Sequence, residues 1–466
     1  MNFRTFSFLP KQIASKLSSS PQLSKAMSST GWLLSEQLFS MILGFTINVY
    51  LIRYLGPERL GIYSYGLSLV SIIGILAKLG IDGLIVRDLV QSKDLAPKIL
   101  GTAFVLKLVG GLISVGIVAN ILVVLNNEIE TQAITNILAI SIIFHAFDVI
   151  NFWNQSQVQA RAMASIRFAT NLISFASKCI LIYISAPLSF FAWLFTIEAS
   201  IRSAGMISSY QLAKQSVFNW RIDWTYAGKL LKESWPLLLS SAMAIIYMKI
   251  DQLMLAWISG PNAVGVYSAA AKFSEVWYFL PMALTASLFP AFVKLKQEDP
   301  NIFKQRMQQL FDLLSWCAYG LAIPITIFGP IIIPKILGAD FTESSIILTI
   351  HIWAGIFVFL ETGRIRWLLV EKQNLFQLLS MTVGATSNIL LNLALIPRLQ
   401  GFGAAIATLI SYWIAIIGTC FIIREHREMG KMLLLASIIP ARWKQNSNYI
   451  KFLLGPKNTY NTSNSQ

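Results

Sequence analysis

GPERLGIYS at residues 56–64 and GPNAVGVYS at residues 260–268 are one turn written twice, at a constant offset of 204 residues. Five of the nine positions are identical, and Ile62 against Val266 is conservative. Gly56 and Gly260 allow dihedrals that other residues resist, and Pro57 and Pro261 fix φ at the start of a helix. Gly61 and Gly265 follow at the same spacing. Long apolar runs flank each copy on both sides, so each copy reads as a tight turn between two helices. A repeat of this length marks two related halves. The offset spans six of the helices placed below, an even number, so the halves share one orientation and are related by an axis along the membrane normal.

The surrounding composition makes those helices membrane spans. Of 466 residues, 55% are hydrophobic and 13% charged, with a mean hydropathy of +0.62. A soluble domain carries about 25% charged residues, because its whole surface meets water. A crossing helix needs about 20 apolar residues, and such runs recur at about 31–52, 61–80, 99–124, 132–152, 166–184 and 189–212. A second set follows at about 234–258, 263–290, 307–333, 344–362, 375–396 and 401–423. The expected fold is therefore an all-α integral membrane protein of twelve transmembrane helices in two six-helix lobes, 30–212 and 234–425. A basic tail (1–29), a linker (213–233) and an amphipathic then disordered tail (426–466) complete the chain.

Charge tests the topology independently. With both termini cytoplasmic, 26 Lys or Arg fall in cytoplasmic segments and four, Arg53, Arg59, Lys335 and Arg398, outside. That split is what the positive-inside rule demands. It also explains the net charge of +15 without nucleic acid, since basic loops and tails favour anionic lipid. Cys179, Cys317 and Cys420 fall inside apolar stretches, and His145, His351 and His426 share no metal-ligand spacing, so no metal site or cofactor is expected.

The LGPERLGIYS turn, the stretch IYMKIDQLMLAWISGPNAVGVYSAAAKFSEVWYFLP at 246–281, SLFP at 287–290 and GFGAAIATLIS at 401–411 resemble the polysaccharide-biosynthesis flippases. These are the Wzx-type O-antigen and exopolysaccharide transporters of the MOP superfamily, which also holds the MATE drug exporters and the lipid II flippases. The resemblance runs from about residue 30 to 425, and 246–281 is its most specific part. It implies a V-shaped, two-lobed carrier that moves undecaprenyl-pyrophosphate-linked oligosaccharide units across the bacterial inner membrane. Alternating access would be driven by antiport of H⁺ or Na⁺. Its partners would be that glycolipid, membrane lipids, and the polysaccharide polymerase and other assembly proteins.

Ionisable groups within the spans narrow the site, because each costs roughly 2.5–3.5 kcal/mol at mid-bilayer and must face a cavity or a partner. Lys107, Lys178, Glu198, Arg202, Lys249, Asp251, Lys272 and Glu275 lie nearest the middle. Helical spacing lets Glu198 pair with Arg202 and Lys272 with Glu275. Lys249 and Asp251 are about 200° apart around the helix and cannot share a face. An anionic headgroup would be met by Lys249, Lys272 and Lys107, with Arg53 at the outer mouth. Asp251 first, then Glu275 or Glu36, could carry the coupling cation.

Rival functions leave different signs. A MATE-type exporter of organic cations would be opposed by Lys107 and Lys178, and a lipid II flippase would carry a similar prenyl pyrophosphate. A membrane polysaccharide polymerase or ligase should present a sizeable outside loop with catalytic Arg or His. The outside loops are short and hold no His, and no G-x-x-x-x-G-K-[ST] loop occurs, so an enzyme is not expected.

Overall fold

A computed structural model describes residues 21–157, 160–371 and 373–442; side-chain surroundings are described from residue 39 onward. Among the described residues the chain is helical throughout, with no strand. The helices are α1 (Pro21–Ile73), α2 (Ile75–Lys78), α3 (Asp82–Gln91), α4 (Ala96–Val124), α5 (Ile129–Ile140), α6 (Asp148–Ser156), α7 (Ala160–Tyr183) and α8 (Leu188–Leu212) in the first half. The second half holds α9 (Trp224–Glu275), α10 (Phe279–Glu298), α11 (Pro300–Leu337), α12 (Thr342–Val370), α13 (Asn374–Trp413), α14 (Thr419–Ile422) and α15 (Arg427–Ser437). Helix is the only continuous answer for such a chain in lipid, since every backbone N–H and C=O must be satisfied within the segment.

Eight segments among the described residues are long and apolar enough to cross a membrane. Three of these are too long for one crossing. At about 1.5 Å per residue, the 53 residues of α1 would run well past a hydrocarbon core about 30 Å thick. Each long helix is broken where the backbone leaves helical geometry: α1 at Gly56 (φ 69°), α9 at Gly260 (φ 84°) and α13 at Gln400 (φ 46°). The first two breaks are the glycines of the repeated turn. A β-carbon is disfavoured at such φ values, which explains why glycine stands there.

The two halves meet chiefly along α1 and α9, and a buried cluster including Leu51, Leu55, Leu60, Leu255, Val264 and Tyr267 fills the seam. A second core gathers Phe303, Phe311, Phe359, Leu360 and Ile416 inside the second half. A third, including Ile81, Ile85, Val149 and Trp153, packs α3, α4 and α6 at the far end of the first half. Large side chains such as Leu112, Ile113, Phe190, Ile327, Phe328 and Leu390 stay exposed on the flanks, as lipid-facing surfaces require. The short helix α15 docks on the second half by burying Met429, Leu433 and Ala436, and Tyr319 donates to the Ser437 carbonyl at 2.6 Å. Helix α9 starts at Trp224, so the second part of the expected linker is already helix. Polar contacts also join the halves at the end opposite the repeated turn, where Arg87 pairs with Glu233 and the Tyr226 hydroxyl donates to Asp88 at 2.8 Å.

Candidate functional site between the two halves

Helices α1 and α9 diverge below the turns and leave a cavity of about 330 Å³ between them, lined by Met41, Gly44, Asn48 and Ile52 on one side and Lys272 and Glu275 on the other. Lys249 and Lys178 lie within electrostatic reach of Lys272. The Lys249 ammonium stands 3.8 Å from Glu275. From the first half, Lys178 on α7 pairs with Glu198 on α8 at 3.3 Å and donates to the Ser174 hydroxyl at 2.8 Å. Three lysines therefore face two glutamates, and the cluster carries one positive charge in excess. Lys249 and Glu275 stay partly exposed, at 27% and 30%, so the excess is open to an entering anion and acts at short range.

These pairings differ from those expected of helical spacing. Glu198 takes Lys178 from the neighbouring helix, and Arg202 is exposed. Glu275 takes Lys249, on the same long helix but across the Gly260 break. A pair between helices that already touch needs less side-chain reach than one along a single helix, and tertiary packing overrides the weak i, i+4 preference.

The expected site residues do not all converge. Lys249, Lys272 and Glu275 share the cavity region. Lys107 is fully buried elsewhere: its ammonium lies 2.5 Å from Asp82 and 4.7 Å from the centre of the Phe152 ring. It fastens α4 to α3 and α6. Arg53 is exposed three residues before the Gly56 turn. Glu36 lies outside the residues whose side-chain surroundings are described.

Asp251 faces away from the cavity into the second half. It is 3% exposed, and its carboxylate accepts from the Tyr267 hydroxyl at 2.7 Å, the Thr408 hydroxyl at 2.6 Å and the Asn392 amide at 2.6 Å. Asn392 also donates to the Asn388 Oδ1 at 3.0 Å, and Asn388 donates to Ser411 at 3.3 Å. The Asn392 Oδ1 is buried without a hydrogen-bond partner. Lys249 and Asp251 thus serve different neighbours, as their angular separation requires. His351 on α12 is buried beside the Asp251 nest, its Nδ1 without a partner and its ring 5.8 Å from the Tyr267 ring.

Sequence reasoning counts Lys178 among the mid-membrane charges without assigning it to the headgroup, and passes over His351, Asn388, Asn392 and Thr408. Asn388 and Asn392, spaced i, i+4 in an otherwise apolar span, are the available signal. The bond from Asn392 to a carboxylate 141 positions away is a tertiary fact.

A second buried ion pair stands apart from the cavity. Arg364, fully buried, grips Glu361 through Nε at 2.5 Å and through a second nitrogen at 3.1 Å, and it donates to Ser380 and Gln377. With each guanidinium nitrogen hydrogen-bonded locally, this cluster ties α12 to α13.

Comparison with known proteins places the chain in a family. The family model described as polysaccharide biosynthesis protein matches residues 26–296. The probable flippase AglR of Haloferax volcanii is 24% identical over 401 residues, covering 79% of this chain and 77% of that protein. The capsular polysaccharide biosynthesis protein CapF of Staphylococcus aureus is 22% identical, covering 82% of this chain and 94% of CapF. Among solved structures, the lipid II flippase MurJ in an inward closed conformation superposes with a TM-score of 0.68 at 16% identity, over 92% of this chain and 93% of MurJ. At that identity the likeness speaks for the fold alone.

Proposed function

The chain belongs to the polysaccharide biosynthesis protein family, and from that membership we propose that it is a flippase for lipid-linked oligosaccharide. Its cargo would be an undecaprenyl-pyrophosphate-linked unit of surface polysaccharide, moved across a bacterial inner membrane by alternating access. The observation that carries the reading is the cavity lined by Lys272 and Glu275, with Lys249 paired to that glutamate and the Lys178–Glu198 pair within electrostatic reach, so that lysines outnumber glutamates around it. Its neighbour is an apolar groove of about 460 Å³ that shares Met41, Phe45, Phe273 and Val276 with it and continues past Phe328 and Ile332 of α11. A charged chamber beside an apolar groove fits an amphiphile with an anionic head and a hydrocarbon tail. The pyrophosphate would take up Lys272 and draw Lys249 from Glu275, whose 3.8 Å pairing is loose enough to exchange. The prenyl chain would stay in the groove and the lipid beyond.

In this reading the membrane is crossed twelve times. The eight long segments, three of them folded at Gly56, Gly260 and Gln400, and α8 as a further crossing make that number. Both termini and the basic loops then lie in the cytoplasm, and the repeated turns face outward.

Return of the empty carrier would be coupled to H⁺ or Na⁺ at Asp251. The residues fit such an ion. Hard cations take oxygen ligands, and exchanging the Asn392 amide, whose Oδ1 has no partner, would turn an oxygen toward the carboxylate. The Thr408 hydroxyl, 2.9 Å from the Ala404 carbonyl, and the Asn388 Oδ1 complete an oxygen-rich nest. A proton would serve equally by neutralising the buried charge.

The excess of lysine speaks against an exporter of organic cations. A lipid II flippase would use the same headgroup chemistry, but sequence likeness runs to the polysaccharide branch. The deciding experiment is binding of a prenyl-pyrophosphate oligosaccharide to wild type and Lys272→Ala, with an organic cation dye as competitor. Saturable binding that weakens in the variant and ignores the dye is expected. Dye binding without glycolipid binding would overturn the proposal.

A further inference from the structure

The repeated turn does more than reverse the chain. A Cβ placed on Gly61 would fall 1.7 Å from the Pro261 carbonyl oxygen, and one on Gly265 would fall 1.7 Å from the Pro57 carbonyl oxygen. The contact is reciprocal. Each half offers the proline carbonyl of its motif to the glycine of the other, as a two-fold relation between the halves requires. Any side chain beyond hydrogen at either glycine would force the helices apart, because ordinary contact begins near 3.4 Å.

Helical spacing then places Ser64 and Ser68 below Gly61 on the crossing face, and Ser268 and Lys272 below Gly265. Ser68 and Lys272 occupy equivalent positions of the repeat. The Ser64 and Ser268 hydroxyls are buried and without hydrogen-bond partners, so neither is spent in holding the crossing together. Lys272 marks the roof of the cavity, seven residues or about 10 Å of helix beneath the glycines. The polar bonds around the crossing instead hold each arm to its own half. The Tyr54 hydroxyl donates to the Ala186 carbonyl at 2.7 Å, Asn127 donates to the Tyr65 hydroxyl at 3.2 Å, and Ser344 donates to the Val266 carbonyl at 2.7 Å. Below the crossing, Ser68 and Gln252 join the halves side chain to side chain.

We propose that this glycine-to-carbonyl crossing is the gate that closes the cavity on the side of the repeated turns. At its centre the seal is backbone against backbone, flanked by the apolar packing of Leu60 and Val264, and such dispersion and Cα–H···O contacts are individually weak. It can therefore part as two rigid arms, each travelling with its own half. Repetition of the motif follows from the mechanism, since a reciprocal contact needs glycine and proline in both copies. The inference concerns the crossing itself and holds whatever the cargo.

The test uses full-length protein with its three cysteines replaced. Spin labels at Glu58→Cys and Asn262→Cys, exposed repeat mates on the two turns, report the separation of the arms. Ser64→Cys reports access from outside to a membrane-impermeant thiol reagent. Gly61→Ala or Gly265→Ala should shift the label distance outward and raise labelling of Ser64→Cys at least tenfold. Gly116→Ala on α4, where a Cβ meets nothing within 4 Å, should leave both readings as in wild type. Unchanged distances and labelling in folded, monodisperse Gly→Ala protein would overturn the proposal. If the alanine variants do not fold, both glycines are kept and a short thiol linker joins Glu58→Cys to Asn262→Cys. Labelling of Ser68→Cys from outside must then stop, and continued labelling would overturn it equally.

Discussion

Asp251→Asn separates a coupling carboxylate from a structural one. The wild-type carboxylate accepts three hydrogen bonds at 2.6–2.7 Å from neutral donors, each worth about 1.5–3 kcal/mol to a charged acceptor. No cationic side chain pairs with it among the described residues, so burying its charge costs several kcal/mol in opposition. Asparagine keeps one oxygen for Tyr267 and Thr408, and its new amide can donate to the Asn392 Oδ1 once that amide is exchanged. The nest is then satisfied without charge. The variant should be at least as stable as wild type in cation-free buffer. Wild type should gain stability as Na⁺ rises, because the cation neutralises the buried charge. At a hundred times the dissociation constant that gain is about 2.7 kcal/mol. The assay is unfolding in detergent across NaCl at constant ionic strength with choline chloride. A flat response in Asp251→Asn is expected. A response equal to that of wild type, or a loss beyond about 3 kcal/mol without cation, would refute the reasoning.

Three further outcomes follow from the same contacts. Glu275→Gln frees Lys249 from a partly exposed pair worth about 1 kcal/mol, so glycolipid binding should tighten about fivefold while Lys249→Met weakens it; movement of both in one direction would contradict the charge reading. Arg364→Met should cost about 3–5 kcal/mol by stranding Glu361, whereas Arg364→Met with Glu361→Leu should recover most of it, as measured by unfolding in detergent; additive losses would show that the pair is not coupled. Lys107→Met should lower stability without changing glycolipid affinity, since Lys107 is paired with Asp82 inside the first half; a selective loss of binding would return it to the cavity.

Composition and local pattern determine the membrane class of this protein. A hydrophobic content of 55% leaves helices as the way to satisfy the backbone in lipid, and the repeated Gly-Pro turn announces two halves. Turn chemistry is local, and for that reason Gly56 and Gly260 are readable as chain reversals from their neighbours in the chain. The second glycine of each copy is a different matter. Gly61 and Gly265 look like turn residues, yet each is required by a carbonyl of the other half, more than 190 residues away in sequence. The charged groups divide in the same way. The cost of an intramembrane charge shows that Lys107, Lys249, Lys272, Asp251 and Glu275 need partners. Which partner each takes depends on which helices touch: Lys107 goes to Asp82, Glu275 to Lys249, and Asp251 to three neutral donors on α9 and α13. Helical spacing constrains residues within about one turn of each other. The contacts that form the cavity join residues far apart in the chain, and packing of the two halves alone brings them together.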